Sequence, residues 1–234
     1  MGESLSSALI ELCNRLAAAS PDAGWPDDGW PLSGIFQPPS FEVAVGAVLV
    51  QNNRWAQVVR SLERLRGHGF VCPASVASAP VSHLAEAVRP SGFSGAKAEA
   101  LRRLGELWLE LGDEPPDRAR LLGLKGVGPE TADAILLYGF GQPRLIADNY
   151  LRRLCGRLGY LPPGLNYESA SRLLAFTGSW PTPLLQVFHA RVVRFGKEFC
   201  RKSPRCGICP LAAQCPRLGV VPSDAALKSL IRKV

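Results

Sequence analysis

The stretch LKGVGPETADAILLYGFGQPRLIADNYLRRLCGRLG, residues 124–159, indicates how the middle of the chain folds. A helix is expected to end at Leu122 or Gly123, and the residues LKGVG then form a tight loop. Pro129 begins the next helix, because a proline at the first helical position loses no hydrogen bond and already has a helical φ. The pattern therefore predicts two helices joined by a short glycine loop.

This glycine loop has two interpretations. Gly126 and Gly128 can adopt positive φ angles and leave their backbone N–H groups bare. Together with the start of the following helix, such N–H groups form an anion site that suits one DNA phosphate. A plain turn between two helices needs the same glycines, and on this motif alone the plain turn is the better interpretation.

Asp148 follows the apolar residues 145–147 and precedes the helical stretch NYLRRLCGRLG. Aspartate is a favoured N-cap residue, and that role requires no catalysis. A carboxylate at a helix start that faces a DNA cleft can instead stabilise an oxocarbenium ion at C1′ or activate water. From its position alone, the cap is the stronger interpretation.

Four of the seven cysteines form a C-x5-C-x2-C-x5-C run near the end of the chain: Cys200, Cys206, Cys209 and Cys215. In a reducing compartment such a run indicates a metal centre rather than disulfide bonds. Four thiolates suit zinc or an iron–sulfur cluster, and the spacing does not choose between the two.

The composition, 47% hydrophobic and 20% charged, is that of a soluble globular protein and excludes a disordered or fibrous chain. The longest apolar run, residues 41–50, is far shorter than the ~20 residues that a membrane-spanning helix requires. No basic segment precedes an apolar stretch at the N-terminus, so no secretory signal is visible. We therefore expect a cytoplasmic protein with no membrane partner.

The net charge of +7 is unevenly distributed, because residues 141–234 hold 15 of the 27 lysines and arginines and only four acidic residues. Such a basic half is typical of a surface that binds a polyanion, since neutralising phosphates releases counterions. A solvated basic face without a partner explains the charge equally well.

Proline- and glycine-rich loops separate amphipathic stretches along nearly the whole chain, which predicts an all-α fold. The stretch FEVAVGAVLVQ, residues 41–51, is ambiguous because β-branched residues favour a strand. Phe41, Val45 and Val48 nevertheless recur at helical spacing, and we interpret the stretch as a buried helix. The other predicted helices cover residues 4–19, 54–66, 82–88, 95–111, 117–123, 129–140, 149–159, 167–174 and 183–198.

The combination of these motifs resembles the endonuclease III superfamily of DNA glycosylases. Residues 124–159 resemble its helix-hairpin-helix (HhH-GPD) motif with the Gly/Pro-rich loop and aspartate, and FEVAVGAVLVQNN resembles its early core helix. The segment SGFSGAKAEAL is similar to the one that carries the wedge residue, and the cysteine run is similar to its iron–sulfur loop. The wording KGVGPETADAILLY is most similar to the branch of 3-methyladenine DNA glycosylase III.

The resemblance implies a two-domain fold. Residues 41–143 would form a six-helix barrel domain that includes the helix-hairpin-helix. Residues 1–40 and 144–234 would form a cluster domain whose loop at residues 200–215 holds a [4Fe–4S] cluster. The implied partner is double-stranded DNA that contains a damaged base, the implied state is a monomer, and a bacterial member would be associated with the nucleoid.

The resemblance also implies roles for individual residues. Asp148 matches the catalytic aspartate, while Gln51 and Phe93 match the residues that fill the hole and wedge the duplex when a base is flipped. The matched DNA-binding hairpin consists of Lys125, Gly126, Val127 and Gly128.

The base pocket is expected in the aromatic connector that precedes residue 41. In the similar branch the pocket draws on aromatic side chains of this region, so the candidates are Trp30, Pro31 and Phe41. A cationic alkylated base prefers aromatic faces, through cation–π contacts of roughly 0.5–2 kcal/mol. These rings would equally serve to pack the two domains together.

Glu130 occupies the position at which bifunctional members carry the lysine that forms a Schiff base. A carboxylate cannot form an imine, so AP lyase chemistry is not expected. The resemblance thus implies a monofunctional glycosylase for alkylated purines. Two alternatives stay open: an endonuclease III-like glycosylase for oxidised pyrimidines or mispaired thymine, and a DNA-binding homologue without turnover.

Overall fold

The computed structural model describes residues 2–19, 34–175 and 180–220, and all regular structure in these ranges is helical. The predicted all-α fold is thereby confirmed. The α-helices are α1 (Gly2–Ala19), α2 (Pro39–Leu49), α3 (Trp55–Gly67), α4 (Pro73–Ser78), α5 (Val81–Ala87), α6 (Ser94–Leu111), α7 (Arg118–Leu122), α8 (Pro129–Ala134), α9 (Asn149–Leu158), α10 (Tyr167–Ala175) and α11 (Thr182–Glu198). No helix within these ranges has the length and apolar character to cross a membrane.

The described residues divide into two compact units. The hairpin unit consists of residues 34–144 and 180–186, and the cysteine unit consists of residues 2–19, 145–175 and 187–220.

Helix α2 is the centre of the hairpin unit. Every residue from Phe41 to Leu49 is buried, and the helix packs against α3, α6 and α8. A helix that is apolar on all sides belongs in the middle of a core, where each face has a neighbour. The interpretation of this stretch as a buried helix, despite its β-branched residues, is confirmed.

Helix α4 was absent from the predicted helices. It spans only Pro73–Ser78, and its amino end is closed by reciprocal hydrogen bonds between Cys72 and Ser75. It packs closely on α6 at Gly105, where a Cβ atom would lie 2.8 Å from the carbonyl oxygen of Pro73. Six residues are too few to show a helical period, so tertiary packing stabilises this helix.

The predicted helix over residues 129–140 changes its winding part-way. Its first turns are the α-helix α8, and Ile135–Gly139 continue as a π-helical segment. Ile135, Leu136 and Leu137 of this segment are buried, and the segment packs against α2. A π-helical segment within a helix is frequent next to functional sites.

The cysteine unit also contains buried apolar side chains. Helix α1 contributes one buried stripe, Leu9, Leu12 and Leu16, at helical spacing. The other described helices of the unit add the buried side chains of Leu151, Leu154, Leu174, Phe188, Val192 and Phe195.

Candidate active site

The predicted glycine loop lies between α7 and α8 of the hairpin unit. Gly126 has φ of 99° and is exposed, as are Lys125 and Gly128. Val127, between the two glycines, is buried in the core of the unit and donates its backbone N–H to the oxygen of Leu124 at 3.0 Å. One apolar side chain therefore anchors the loop while its glycine backbone stays open to solvent.

An ion pair fixes the two helices that flank this loop. The Arg118 guanidinium on α7 donates two hydrogen bonds to the Asp133 carboxylate on α8, at 2.8 and 3.0 Å. Because Asp133 is buried and the pair is bidentate, its geometry is more restrictive than that of an exposed salt bridge. The loop is thus held at both ends.

Gln51 lies just beyond α2 and contacts the glycine loop directly. Its side-chain Nε2 donates to the carbonyl oxygen of Gly126 and to the hydroxyl of Thr131, both at 3.0 Å. The structure therefore brings together two of the predicted DNA-contacting elements, the end of the core helix and the hairpin.

Phe93 is 75% exposed and has φ of 47° and ψ of 38°. A bulky residue in the left-handed region is a conformational outlier that costs about 1–3 kcal/mol, and such strain concentrates at functional sites. An aromatic ring held in solvent by a strained backbone is the arrangement that a wedge residue requires.

Asp148 caps α9 in the cysteine unit. Its Oδ1 accepts the backbone N–H of Leu151 at 2.7 Å, and its Oδ2 lies 3.6 Å from Nε2 of His189 on α11. The residue is only 5% exposed. The cap interpretation is therefore correct for one oxygen, while the second oxygen faces an imidazole.

The negative charge of Asp148 affects the pKa of a buried thiol on α9, that of Cys155. Burial, followed by the negative charges of Asp148 and Cys200, raises the pKa of the Cys155 thiol to about 12. A thiol of this kind is inert at neutral pH, so Cys155 is a packing residue rather than a nucleophile.

Glu130 is exposed in the first turn of α8, where an acidic side chain suits the positive end of the helix. A carboxylate is not an amine, so Glu130 cannot form a Schiff base with a sugar carbon.

Only one of the three predicted base-pocket residues, Phe41, lies within the described residues. Trp30 and Pro31 fall outside the described residues. Phe41 has no exposed surface, and its ring packs against Phe36 and Trp108 at centroid distances of 6.0 and 5.6 Å. Its assignment to a base pocket stays a prediction, and this packing favours the core role.

The four clustered cysteines line one small cavity of about 20 Å³ in the cysteine unit, and none is in a disulfide bond. Burial and the other three cysteines raise the pKa of Cys209. Four sulfur donors with an apolar surround of Phe195, Phe199 and Leu211 fit a soft metal centre by ligand type. Within the described ranges, no three histidine, cysteine or acidic side chains are arranged to hold a single ion.

Arginines of α9 hold the cysteine loop. Arg153 donates to the carbonyl of Cys200 at 2.6 Å, and Arg157 donates to Cys200 Sγ at 3.2 Å and to the carbonyl of Arg201 at 2.6 Å. An open basin of about 1130 Å³ beside them is lined by further basic residues, including Arg152, Lys197 and Lys202. Basic residues of the second half of the chain thus surround one basin of this unit: Arg152, Arg153, Arg157, Lys197, Arg201 and Lys202.

Residues 45–176 match the family described as HhH-GPD superfamily base excision DNA repair protein. The chain belongs to this superfamily. The matched range includes the glycine loop between α7 and α8, and the protein is a DNA glycosylase of base excision repair.

Known proteins are similar to this chain in sequence or in fold. MJ1434 of Methanocaldococcus jannaschii, which bears the name of a DNA repair glycosylase, is 31% identical over 75% of this chain and 84% of its own length. A non-covalent endonuclease III–DNA complex has a TM-score of 0.74 at 24% identity, covering 91% of this chain and 95% of that one. The H. pylori 3-methyladenine DNA glycosylase (MagIII) bound to 1,N6-ethenoadenine has a TM-score of 0.64 at 26% identity, covering 84% and 97%.

Two residues of the hairpin and cysteine units were not predicted from the sequence. No local sequence pattern connects His189 with Asp148, because the two residues are 41 positions apart. The sequence does show that Lys97 is spaced with Leu101, Leu104 and Trp108 on the apolar stripe of α6. A lysine on a buried stripe indicates a specific partner.

Proposed function

We propose that this HhH-GPD protein is a monofunctional DNA glycosylase that releases alkylated purines and leaves an abasic site. The observation that carries the proposal is the Asp148 carboxylate, held by the cap of α9 with its second oxygen toward His189. A purine alkylated at a ring nitrogen is already cationic, so its departure needs no general acid. The enzyme has to stabilise the sugar cation and direct water to it, and a carboxylate can do both.

The absence of lyase chemistry is argued from Glu130. Strand cleavage through a Schiff base requires an amine at the sugar carbon. In this chain the family's lysine position holds a carboxylate, which suits hydrolysis but not imine formation.

DNA engagement is assigned to three elements of the hairpin unit. The exposed backbone of Lys125, Gly126 and Gly128, anchored by Val127, would bind a phosphate. Phe93 would enter the base stack and Gln51 would fill the space of the flipped base, which helps to offset an unstacking cost of a few kcal/mol. In the cysteine unit, the basic basin would add contacts to the DNA backbone.

The four cysteines are proposed to hold a [4Fe–4S] cluster. Cys200, Cys206, Cys209 and Cys215 would supply the thiolates, and such a cluster joins chain segments and so stabilises the fold.

The substrate class is supported by the likeness to the enzyme bound to ethenoadenine, and by the similar wording around Glu130. The likeness to a thymine/uracil-DNA glycosylase of Pyrobaculum aerophilum, 29% identical over 73% of this chain, favours a second candidate, a glycosylase for oxidised pyrimidines or mispaired thymine.

The deciding experiment incubates the protein with duplexes that carry 3-methyladenine, 7-methylguanine, thymine glycol or a T·G mismatch. We expect release of an alkylated purine, with strand breakage only after alkali treatment and no adduct trapped by borohydride. Release of thymine glycol without any alkylated purine would overturn the substrate class, and a trapped adduct would overturn the monofunctional mechanism.

Asp148→Asn tests the catalytic assignment, because asparagine caps a helix as well as aspartate does. We expect base release to fall by at least about 100-fold while DNA binding persists. Asp117→Asn is the matched control, since Asp117 caps α7 through the N–H of Arg120 at 2.7 Å. DNA binding with no base release by the unmutated protein would identify the homologue without turnover.

A further inference from the structure

Lys97 is a buried lysine in the first turn of α6, four residues after Phe93. It is 4% exposed, whereas lysine side chains of globular proteins almost always reach water. A buried ammonium persists only when its donors are satisfied.

All three donors of this ammonium are matched by carbonyl oxygens. Lys97 Nζ donates to Leu49, the last residue of α2, at 2.8 Å and to Gln51, two residues beyond it, at 3.1 Å. The third hydrogen bond, at 2.7 Å, goes to Ser91 in the turn that precedes Phe93. One cation therefore joins the segment that carries Gln51 to the segment that carries Phe93.

The same connection continues into the hairpin. The Gln51 backbone is held by Lys97, and the Gln51 side chain donates to the carbonyl of Gly126 and to Thr131. The backbone of Lys97 also contacts Phe93, because the Lys97 N–H donates to the Phe93 carbonyl oxygen at 3.0 Å. Lys97 thus contacts the Gln51 and Phe93 segments directly and is connected to the hairpin through the Gln51 side chain.

We propose that Lys97 is a positioning residue for base flipping, which holds the Gln51 and Phe93 segments at the spacing needed to enter the duplex together. This inference rests on the proposed function of these two residues. Lys97 is not the missing lyase amine, because its Nζ is buried and hydrogen-bonded to three carbonyls.

The test uses Lys97→Met, which retains the apolar stem and removes the three donors. The rate of base release is measured under single-turnover conditions for the lesion that the unmutated protein releases fastest. With the lesion in a full duplex we expect a loss of about 10- to 100-fold, as is typical when a reacting geometry is displaced by about an ångström. With the same lesion in a single strand, where no base pair has to open, the loss should largely disappear.

Arg64→Met is the matched control. Arg64 also ties elements of the hairpin unit through carbonyls, donating to Ala87 at 3.1 Å and to Glu86 at 2.9 Å. Its removal should lower thermal stability and leave the ratio of duplex to single-strand rates unchanged.

A double-mutant cycle with Phe93→Ala gives a second measure. If Lys97 acts through Phe93, Lys97→Met should cost much less in the Phe93→Ala background than in the unmutated protein. Equal losses on duplex and single strand, or additive losses with Phe93→Ala, would overturn the proposal and leave Lys97 a purely structural residue.

Lys97→Arg is measured in parallel with Lys97→Met. It retains a cation but lacks the compact three-donor ammonium. If Lys97→Met does not fold, Lys97→Arg should show the same loss of rate on the duplex and not on the single strand.

Duplexes containing 2-aminopurine report base unstacking by fluorescence without any base release. If the unmutated protein unstacks the probe but releases no lesion, the proposed function fails, while a weaker signal from the Lys97 variant would still support the positioning role.

Discussion

The two oxygens of the Asp148 carboxylate have different partners. Oδ1 closes the first turn of α9, and Oδ2 is directed toward His189. Because the cap restrains the rotamer, the second oxygen is held in one place before any DNA arrives. Restraint of this kind is what a group that stabilises a developing cation requires.

The cysteines outside the cluster differ sharply in their expected reactivity. Hydrogen bonds with Ser75 lower the pKa of Cys72, which is partly exposed. Burial raises the pKa of Cys13, and that of Cys155 is raised to about 12. Since the thiolate is the reactive form, iodoacetamide should label Cys72 first and Cys13 and Cys155 only after unfolding.

Mass spectrometry of the labelled peptides checks this order. As pH rises from neutral, labelling of Cys72 should reach its plateau before that of a free cysteine, because its thiolate forms at lower pH. Ser75→Ala should slow the labelling of Cys72. Labelling of Cys155 in the folded protein at a rate similar to that of Cys72 would contradict the assignment.

At the scale of elements, the hairpin depends on its two glycines for different reasons. Gly126 has φ of 99°, and a Cβ atom there would lie 2.8 Å from Cβ of Ala100. Gly128 has φ of −89°, and a Cβ atom there would point into open space. The first glycine is therefore required by the fold, whereas the second leaves room for a ligand.

Gly126→Ala should destabilise the protein by roughly 1–3 kcal/mol, because a side chain is strained in both backbone angle and contact. Gly128→Ala should leave stability within about 0.5 kcal/mol and weaken DNA binding severalfold, since its methyl group blocks the approach of a phosphate. Urea unfolding and fluorescence anisotropy at one fixed salt concentration measure the two effects. Unchanged DNA affinity of Gly128→Ala would show that the loop backbone does not contact DNA.

At the scale of the whole molecule, the basic residues of the second half serve two purposes. Arg153 and Arg157 are used internally, to hold the cysteine loop on α9. Others, such as Lys197 and Lys202, line the basin of the cysteine unit. The basic residues of the second half are therefore not all equally available to DNA phosphates.

The metal centre is tested by composition and colour. An iron–sulfur protein absorbs visible light and contains iron and sulfide, whereas a zinc protein is colourless. Cys206→Ser and Cys209→Ser should lose the iron and unfold at a lower temperature, because metal binding contributes directly to folding. Cys72→Ser, which lies outside the four-cysteine run, should retain the iron and the unfolding temperature of the unmutated protein. A colourless protein with one zinc ion per chain would replace the cluster by a zinc site.

Several local features could be predicted from the sequence alone. The helical period of Phe41, Val45 and Val48 outweighed their β propensity, because a helix of this length has several turns in which the period repeats. Helix α4 lacked that length, and the π-helical segment after α8 carried no pattern of its own. The environment of Phe41 could not be predicted in this way, because the sequence pattern of a helix does not distinguish an aromatic side chain that lines a pocket from one that is buried in the core.

The order of residues along the chain by itself determined the helical class, the glycine hairpin, the aspartate cap and the four-cysteine run, because each depends on neighbours only a few positions away. Only the tertiary structure decided that Lys97 joins Gln51 to Ser91 and that His189 faces Asp148. These contacts connect residues that are distant in the sequence, and they depend on how whole helices pack. The packing of the helices determines which carbonyl oxygens lie within hydrogen-bond distance of a buried ammonium group, and the local sequence does not specify them.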